Sequence, residues 1–336
     1  MSTEANHINT AGVVPDSIFQ IASGFMAAKH LFVANEIGLF TSLAEGPATL
    51  DDLARRTGVA RRRLRVLADA MVALALVDRQ DDRYQNGPVA ATFLSGRTPA
   101  DLRPFLRFWN RLSYPTWTKF EEAVRTGQGQ TTMRLPEEEQ RIFSEGVEAI
   151  QAAPARALPE VYDFSGHQRV LDVGGGTGSW LLAILQRYSH LKGTLFELPT
   201  AAAIARQRLG DDPVAKQAEV VEGDFFQDPL PQGHDAVLIA NVIHLFSPEH
   251  NIELLRRTRE GVADGARLLL ADFWTDATHT EPPFAALMAG EFLVITGEGD
   301  VYSEEEARGW LDKTGWQVLE RTALAGPMSV MVATTG

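Results

Sequence analysis

VLDVGGGTGSW, residues 170–180, is an apolar run that ends at Asp172 and Val173 and then breaks into a cluster of glycines. Three nucleotide- or cofactor-binding loops share that outline, and the residues around the glycines choose among them. A triphosphate loop requires a lysine directly after its last glycine, whereas Ser179 and Trp180 follow Gly178 here. A dinucleotide fingerprint requires G-x-G-x-x-G, but Gly174, Gly176 and Gly178 give G-x-G-x-G, with Ser179 where the third glycine belongs. No Lys or Arg lies between Val170 and Trp180 to neutralise phosphate, and the carboxylate of Asp172 favours a cation.

S-adenosylmethionine offers both an ammonium and a sulfonium, and glycines let the backbone approach its methionine portion without side-chain clash. Glu197, in LFELP, follows the glycines by about 20 residues, the distance at which an acid accepts from ribose hydroxyls. Asp224, in EGDFF, is placed to accept from an adenine amine, with Phe225 against the ring. Leu198, Gly223 and Asn241 complete the candidate cofactor set beside Asp172, Gly174 and Gly176. These positions fall at the carboxyl ends of strands read at RVLDVG, KGTLFEL, AEVVEGDFF and DAVLIANVI, where open α/β sheets bind ligands. Each has a plainer reading too: Asp224 as a turn cap, Phe225 and Phe226 as core.

The bulk properties narrow the partners. A chain of 336 residues is long enough for two domains, each with a proper core. Its zero cysteines exclude disulfides, thiolate metal sites and a cysteine nucleophile and fit a reducing compartment, so a cytoplasmic setting is the simplest one; no metal is expected. A formal net charge of -13 repels nucleic acid and anionic membranes and favours a small molecule. The start, MSTEANHINT, lacks the basic and apolar regions of a signal peptide, and no apolar stretch approaches the roughly 20 residues of a membrane span.

Three segments are expected along the chain: residues 1–100, helical with a winged helix-turn-helix; 101–165, helical and aromatic; and 166–336, an α/β catalytic domain. Apolar residues recur at helical spacing from Ile18 to Leu43. A short helix near Asp51, a turn at Gly58, a longer helix and strand-like pieces at LVDR and RYQN then follow. Arg61, Arg62, Arg63 and Arg65 open the second helix, where a DNA reader places groove contacts; the acidic chain favours a solvated face or dimer surface instead. In the last segment strands and helices alternate, as in a parallel sheet covered on both faces. ARLLLADFW supplies a fifth strand, Ser303 and Glu306 a capping box, and Gly315 a helix stop before a closing hairpin.

With these blocks in this order, the sequence resembles the two-domain small-molecule O-methyltransferases, such as the caffeate, acetylserotonin and bacterial antibiotic-pathway enzymes. LDVGGGTGSW, FELP, GDFF, NVIHLFSPEHNIELLRR and VYSEEEARGWLDKTGW carry the resemblance over nearly the whole chain. It implies S-adenosylmethionine as cofactor and a Rossmann-like seven-stranded sheet with an antiparallel last strand. It also implies a winged-helix region that serves dimerisation, and a homodimer whose N-terminal helices help build each other's pockets. His244 occupies the family's general-base position in NVIHLF, and alone among eight histidines it lies both at a strand end and inside an apolar block. Asp272 matches the carboxylate that orients this base. Glu298 and Asp300 both suit a second one, with Asp300 preferred. Leu245 and Phe246 stand where plant relatives have Asp and Trp.

The expected reaction is in-line attack of a substrate oxygen on the sulfonium methyl, releasing S-adenosylhomocysteine, with His244 taking a phenolic or enolic proton. Phe108, Trp109, Trp117 and Phe143, with Phe284, Met288 and Phe292, are the candidate lining for a flat apolar acceptor, although such stripes also make ordinary core. Transfer to carbon or nitrogen, a non-methylating use of the scaffold, and a winged-helix ligand sensor are the alternatives, with a nicotinamide oxidoreductase more distant.

Overall fold

The computed structural model describes residues 14–131 and 135–335. The polar start MSTEANHINT and Thr132 at the end of the GQGQTT loop lie outside them. The chain divides into two compact units, Met1–Arg103 and Pro104–Gly336.

The first unit contains α1 (Asp16–Glu36), α2 (Leu39–Leu43), β1 (Ala48–Thr49), α3 (Leu50–Thr57), α4 (Arg61–Ala73), β2 (Val77–Gln80), β3 (Arg83–Asn86) and α5 (Pro88–Phe93). Thr49 and Asp52 cap α3 reciprocally, which starts the helix one residue before the expected Asp51. The strands expected at LVDR and RYQN form β2 and β3, which join β1 in an antiparallel sheet ordered β1-β3-β2. Leu53, Leu64 and Met71 of the helices and Tyr84 of β3 are fully buried. The arginine cluster is partly neutralised on the spot, since Arg61 pairs with Asp51 at 2.9 Å and Arg65 with Asp69 at 3.0 Å.

The expectation that no apolar stretch approaches the length of a membrane span does not hold for α1. α1 runs 21 residues and is long and apolar enough, by length and composition, to cross a membrane. Ser17, Gln20, Ser23 and Lys29 interrupt every continuous apolar run in the sequence, yet averaged over the helix the apolar side chains dominate. Among the described residues Ile18, Phe19 and Ile21 stand 66%, 66% and 81% exposed.

The second unit begins with α6 (Arg103–Phe108), a π-helical turn (Trp109–Ser113), α7 (Tyr114–Trp117), α8 (Phe120–Thr126) and the long α9 (Glu137–Val161). The α/β region follows: β4 (Arg169–Val173), α10 (Ser179–Arg187), β5 (Lys192–Glu197), α11 (Pro199–Gly210), β6 (Ala218–Glu222), β7 (Ala236–Ala240), α12 (Pro248–Glu260), β8 (Arg267–Phe273), α13 (Pro283–Thr296), α14 (Glu304–Lys313), β9 (Trp316–Ala323) and β10 (Met328–Thr335). α9 packs along α10, so residues 104–165 share a compact unit with the sheet.

Strands such as AVLIA are buried along their whole length because helices cover both faces. Alternation then splits them: Leu238 joins one core with Trp180 and Leu195, while Val237 and Ile239 join the other with Leu254 and Trp310. The strand order is β6-β5-β4-β7-β8-β10-β9, and the last strand runs antiparallel to both its neighbours. From β4 the chain builds outward through β5 and β6, then returns to place β7 on the other side of β4. That reversal leaves a crevice beyond the carboxyl end of β4, where the glycine loop lies. Ser303 and Glu306 form the expected capping box of α14.

Candidate functional site

β4 delivers Asp172 and Val173, and the chain turns sharply at Gly174 and Gly176 before α10 begins. Gly176 has φ +58°, a conformation that suits glycine, and a side chain there would meet nothing within 4 Å. Space above its backbone is therefore open. Its amide donates to Glu197 Oε2 at 2.8 Å, while Glu197 Oε1 accepts from the Leu198 amide at 2.7 Å. The acid expected at ribose distance thus also ties the end of β5 to the glycine loop.

Asp172 is fully buried with its carboxylate against Gly175, and neither oxygen has a partner in the hydrogen-bond network. Burial first, and then repulsion from Glu197, push it up to about 7, against a small opposing pull from the Leu181 amide. Burial likewise raises Glu197 above the ordinary range. Two carboxyls under one loop, with no cation among their partners, suit a positively charged ligand.

Asp224 Oδ1 accepts from the Phe226 amide at 2.8 Å, so the turn-cap reading of this residue holds, while Oδ2 makes none of the described bonds. Phe225 borders the glycine loop, its Cε1 3.4 Å from where a Gly174 Cβ would stand, and it packs edge-on to Phe226 and Phe246. Gly223 allows this turn to close on Phe196, whose ring would lie 2.3 Å from a Cβ. Asn241, at φ +56°, ends β7 with its side-chain Nδ2 buried and unpartnered.

His244 follows in a single helical turn, Ile243–Leu245. Its Nδ1 lies 2.9 and 3.0 Å from the oxygens of Asp272, which is 1% exposed on β8. A carboxylate accepts only, so Nδ1 carries a hydrogen, and in the neutral imidazole Nε2 is the nitrogen that holds the lone pair. Phe292 stacks on the imidazole with centroids 3.9 Å apart and planes at 20°, fixing the ring from one side. Phe273 approaches at 5.6 Å from another direction, and Phe284 packs on Phe273 in turn.

The two remaining carboxylates take other partners. Glu298 pairs with His250 at 2.9 Å. Asp300 offers its backbone amide to the His244 carbonyl at 3.1 Å, while its Oδ1 accepts from Val301. Asp300 therefore steadies the backbone that carries His244, and burial raises its own pKa.

The aromatic candidates fall into clusters. Phe108 meets Phe143 edge-on at 5.3 Å, with Gly146 making room for Phe108 on α9. Trp109 packs on Phe105 at 4.4 Å. Trp117 stands beside Phe120 and reaches α13 through its indole N–H, which donates to Glu291. Met288 packs, half-buried, against the core that holds Phe292. Sequence reading missed Glu291 and Phe273. A glutamate inside the apolar stretch AALMAGEFLVIT was the available signal for the first, and the strand-end position beside Asp272 for the second.

An O-methyltransferase domain model matches residues 116–317, and an O-methyltransferase dimerisation domain model matches residues 19–96. The chain is 32% identical to the 3-hydroxy-5-methyl-1-naphthoate 3-O-methyltransferase of Streptomyces sahachiroi, over 93% of this chain and 92% of that protein. It is 28% identical to the tetracenomycin polyketide synthesis 8-O-methyl transferase of Streptomyces glaucescens, over 95% and 96% respectively. The crystal structure of human N-acetylserotonin methyltransferase in complex with S-adenosylmethionine superposes with a TM-score of 0.87 at 25% identity, covering 99% of each chain. Matched along most of its length, the chain belongs to the S-adenosylmethionine-dependent O-methyltransferases and carries their dimerisation domain.

Proposed function

We propose that this protein methylates a hydroxyl of a flat aromatic or polyketide-type molecule, with His244 as the general base. The observation that carries the reading is the buried pair of His244 Nδ1 and Asp272, which leaves Nε2 to accept a proton. Asp172, Glu197, the Gly174–Gly176 turn, Asp224, Phe225 and Asn241 would hold S-adenosylmethionine, which would supply the electrophilic methyl group and leave as S-adenosylhomocysteine. His244 Nε2 takes the hydroxyl proton as the oxygen attacks, and the Asp272 carboxylate stabilises the imidazolium that forms. Phe292 keeps the ring plane constant during the transfer. General-base help of this kind contributes about 10²- to 10⁴-fold, and alignment of oxygen and methyl contributes several kcal/mol more. The related naphthoate enzyme makes hydroxynaphthoates the first acceptors to try. Residues of α1, apolar and exposed within the dimerisation domain, join a second copy of the chain.

His244→Ala tests this directly. Calorimetry should find S-adenosylmethionine affinity within about twofold of wild type, while turnover of a hydroxynaphthoate falls at least ~100-fold. Wild-type-like turnover would remove His244 as the base.

A further inference from the structure

Glu291 is 5% exposed, inside a helix whose neighbouring residues are apolar. Its two oxygens are treated unequally. Oε2 accepts from the Ser113 hydroxyl at 2.8 Å and from the Trp117 indole N–H. Oε1 is equally buried and has no hydrogen-bond partner. A buried carboxyl oxygen left empty costs about 1–3 kcal/mol or more, so it calls for a reason.

Its position supplies one. Glu291 immediately precedes Phe292, the ring stacked on His244, and consecutive Cα atoms lie about 3.8 Å apart. Met288 is three residues earlier and therefore shares a helix face with it. Trp117 flanks the same turn, its Cη2 2.9 Å from where a Gly290 Cβ would stand. Three candidate pocket residues thus lie on, or against, the helix turn that carries this half-satisfied carboxyl. Burial raises its pKa, and the bonds from Ser113 and Trp117 oppose that rise. Both existing partners are donors, so the carboxyl already acts as an acceptor, and what Oε1 lacks is a third donor.

We propose that Glu291 is a specificity residue whose Oε1 receives a hydrogen bond from the acceptor molecule, so that the preferred acceptor carries a second donor, a hydroxyl or N–H, besides the oxygen that is methylated. This rests on the aromatic O-methyltransferase reading of the same site. A site built around a substrate hydroxyl rejects the analogue that lacks it far more strongly than an apolar pocket rejects an added group, because the empty partner stays buried.

The test compares naphthalenediols with the naphthols lacking one hydroxyl, by kcat/KM and by calorimetric Kd on the complex with S-adenosylhomocysteine. Wild type should favour the best diol by at least ~10-fold. Glu291→Leu removes the acceptor. Glu291→Gln keeps an oxygen for Ser113 and Trp117 at the same volume and presents an amide donor instead. Both should lower the diol-to-naphthol ratio at least ~10-fold, and the isosteric Gln variant guards against a folding defect. A wild type that does not discriminate, or a Kd ratio unchanged in both variants, overturns the proposal. Discrimination in Kd that the variants lose, without methyl transfer by any of the proteins, supports Glu291 and instead overturns methylation of these acceptors.

Discussion

Replacing Asp172 by Asn tests the charge that the glycine loop covers. In the folded chain burial, reinforced by Glu197, moves this carboxyl from an ordinary 3.8 to about 7. Between those values the folded state holds a proton that the unfolded state has lost, so stability falls as pH rises through that window. At pH 8 both states are ionised and the whole cost is present, about 4 kcal/mol at 1.36 kcal/mol per pH unit. At pH 5 the folded carboxyl keeps its proton, and about 2 kcal/mol remains. Asparagine carries no charge at either pH and lacks this dependence. Whatever constant offset the amide brings, the stability of the variant relative to wild type should therefore drop by about 2–3 kcal/mol from pH 8 to pH 5. Urea unfolding followed by tryptophan fluorescence reads the difference, with Trp180 next to the loop as a reporter. Parallel pH curves for the two proteins would refute the assignment of a destabilised acid at position 172. The same charge has a binding signature. A cation favours ionised Asp172, so S-adenosylmethionine should release a proton on binding at pH 6, detectable by calorimetry in two buffers of different ionisation enthalpy. Asp172→Asn should bind more weakly and release less.

Two further substitutions probe the frame around this centre. Asp272→Asn removes the charge that His244 Nδ1 faces, and the loss of a charge-assisted bond predicts kcat lower by about 10- to 100-fold with S-adenosylmethionine affinity retained, measured by turnover and calorimetry on one preparation. Gly223→Ala drives a Cβ to 2.3 Å from the buried Phe196 ring; we expect a stability loss of about 1–3 kcal/mol in thermal unfolding and weaker cofactor binding, because the Asp224–Phe225 turn must shift.

The parts of the site that were legible lie at strand ends. Periodic apolar runs announced β4, β5, β7 and β8, and ligand groups follow such strands at their carboxyl ends. The resemblance to the O-methyltransferases then implied that Asp272 orients His244. They stand 28 residues apart in sequence, and the parallel register that sets Ala240 opposite Ala271 brings them together. The choice between Glu298 and Asp300 was not legible. Both lie in an irregular segment after α13, and only the folded chain shows Glu298 taken by His250 and the Asp300 amide holding the His244 carbonyl.

Sequence by itself determined the alternating strand–helix order, the glycine loop with its acid and no cation, and a histidine at a strand end inside an apolar block, because each is written in residues a few positions apart. Tertiary structure alone decided which polar atoms are left wanting. Glu291 meets Ser113 and Trp117 across 178 and 174 positions, and Asp172 loses its solvent to a loop and helix that fold over it. Hydrogen bonding and desolvation depend on every segment that reaches a given point in space. The empty oxygens of Asp172 and Glu291 therefore appear only once the whole chain is packed.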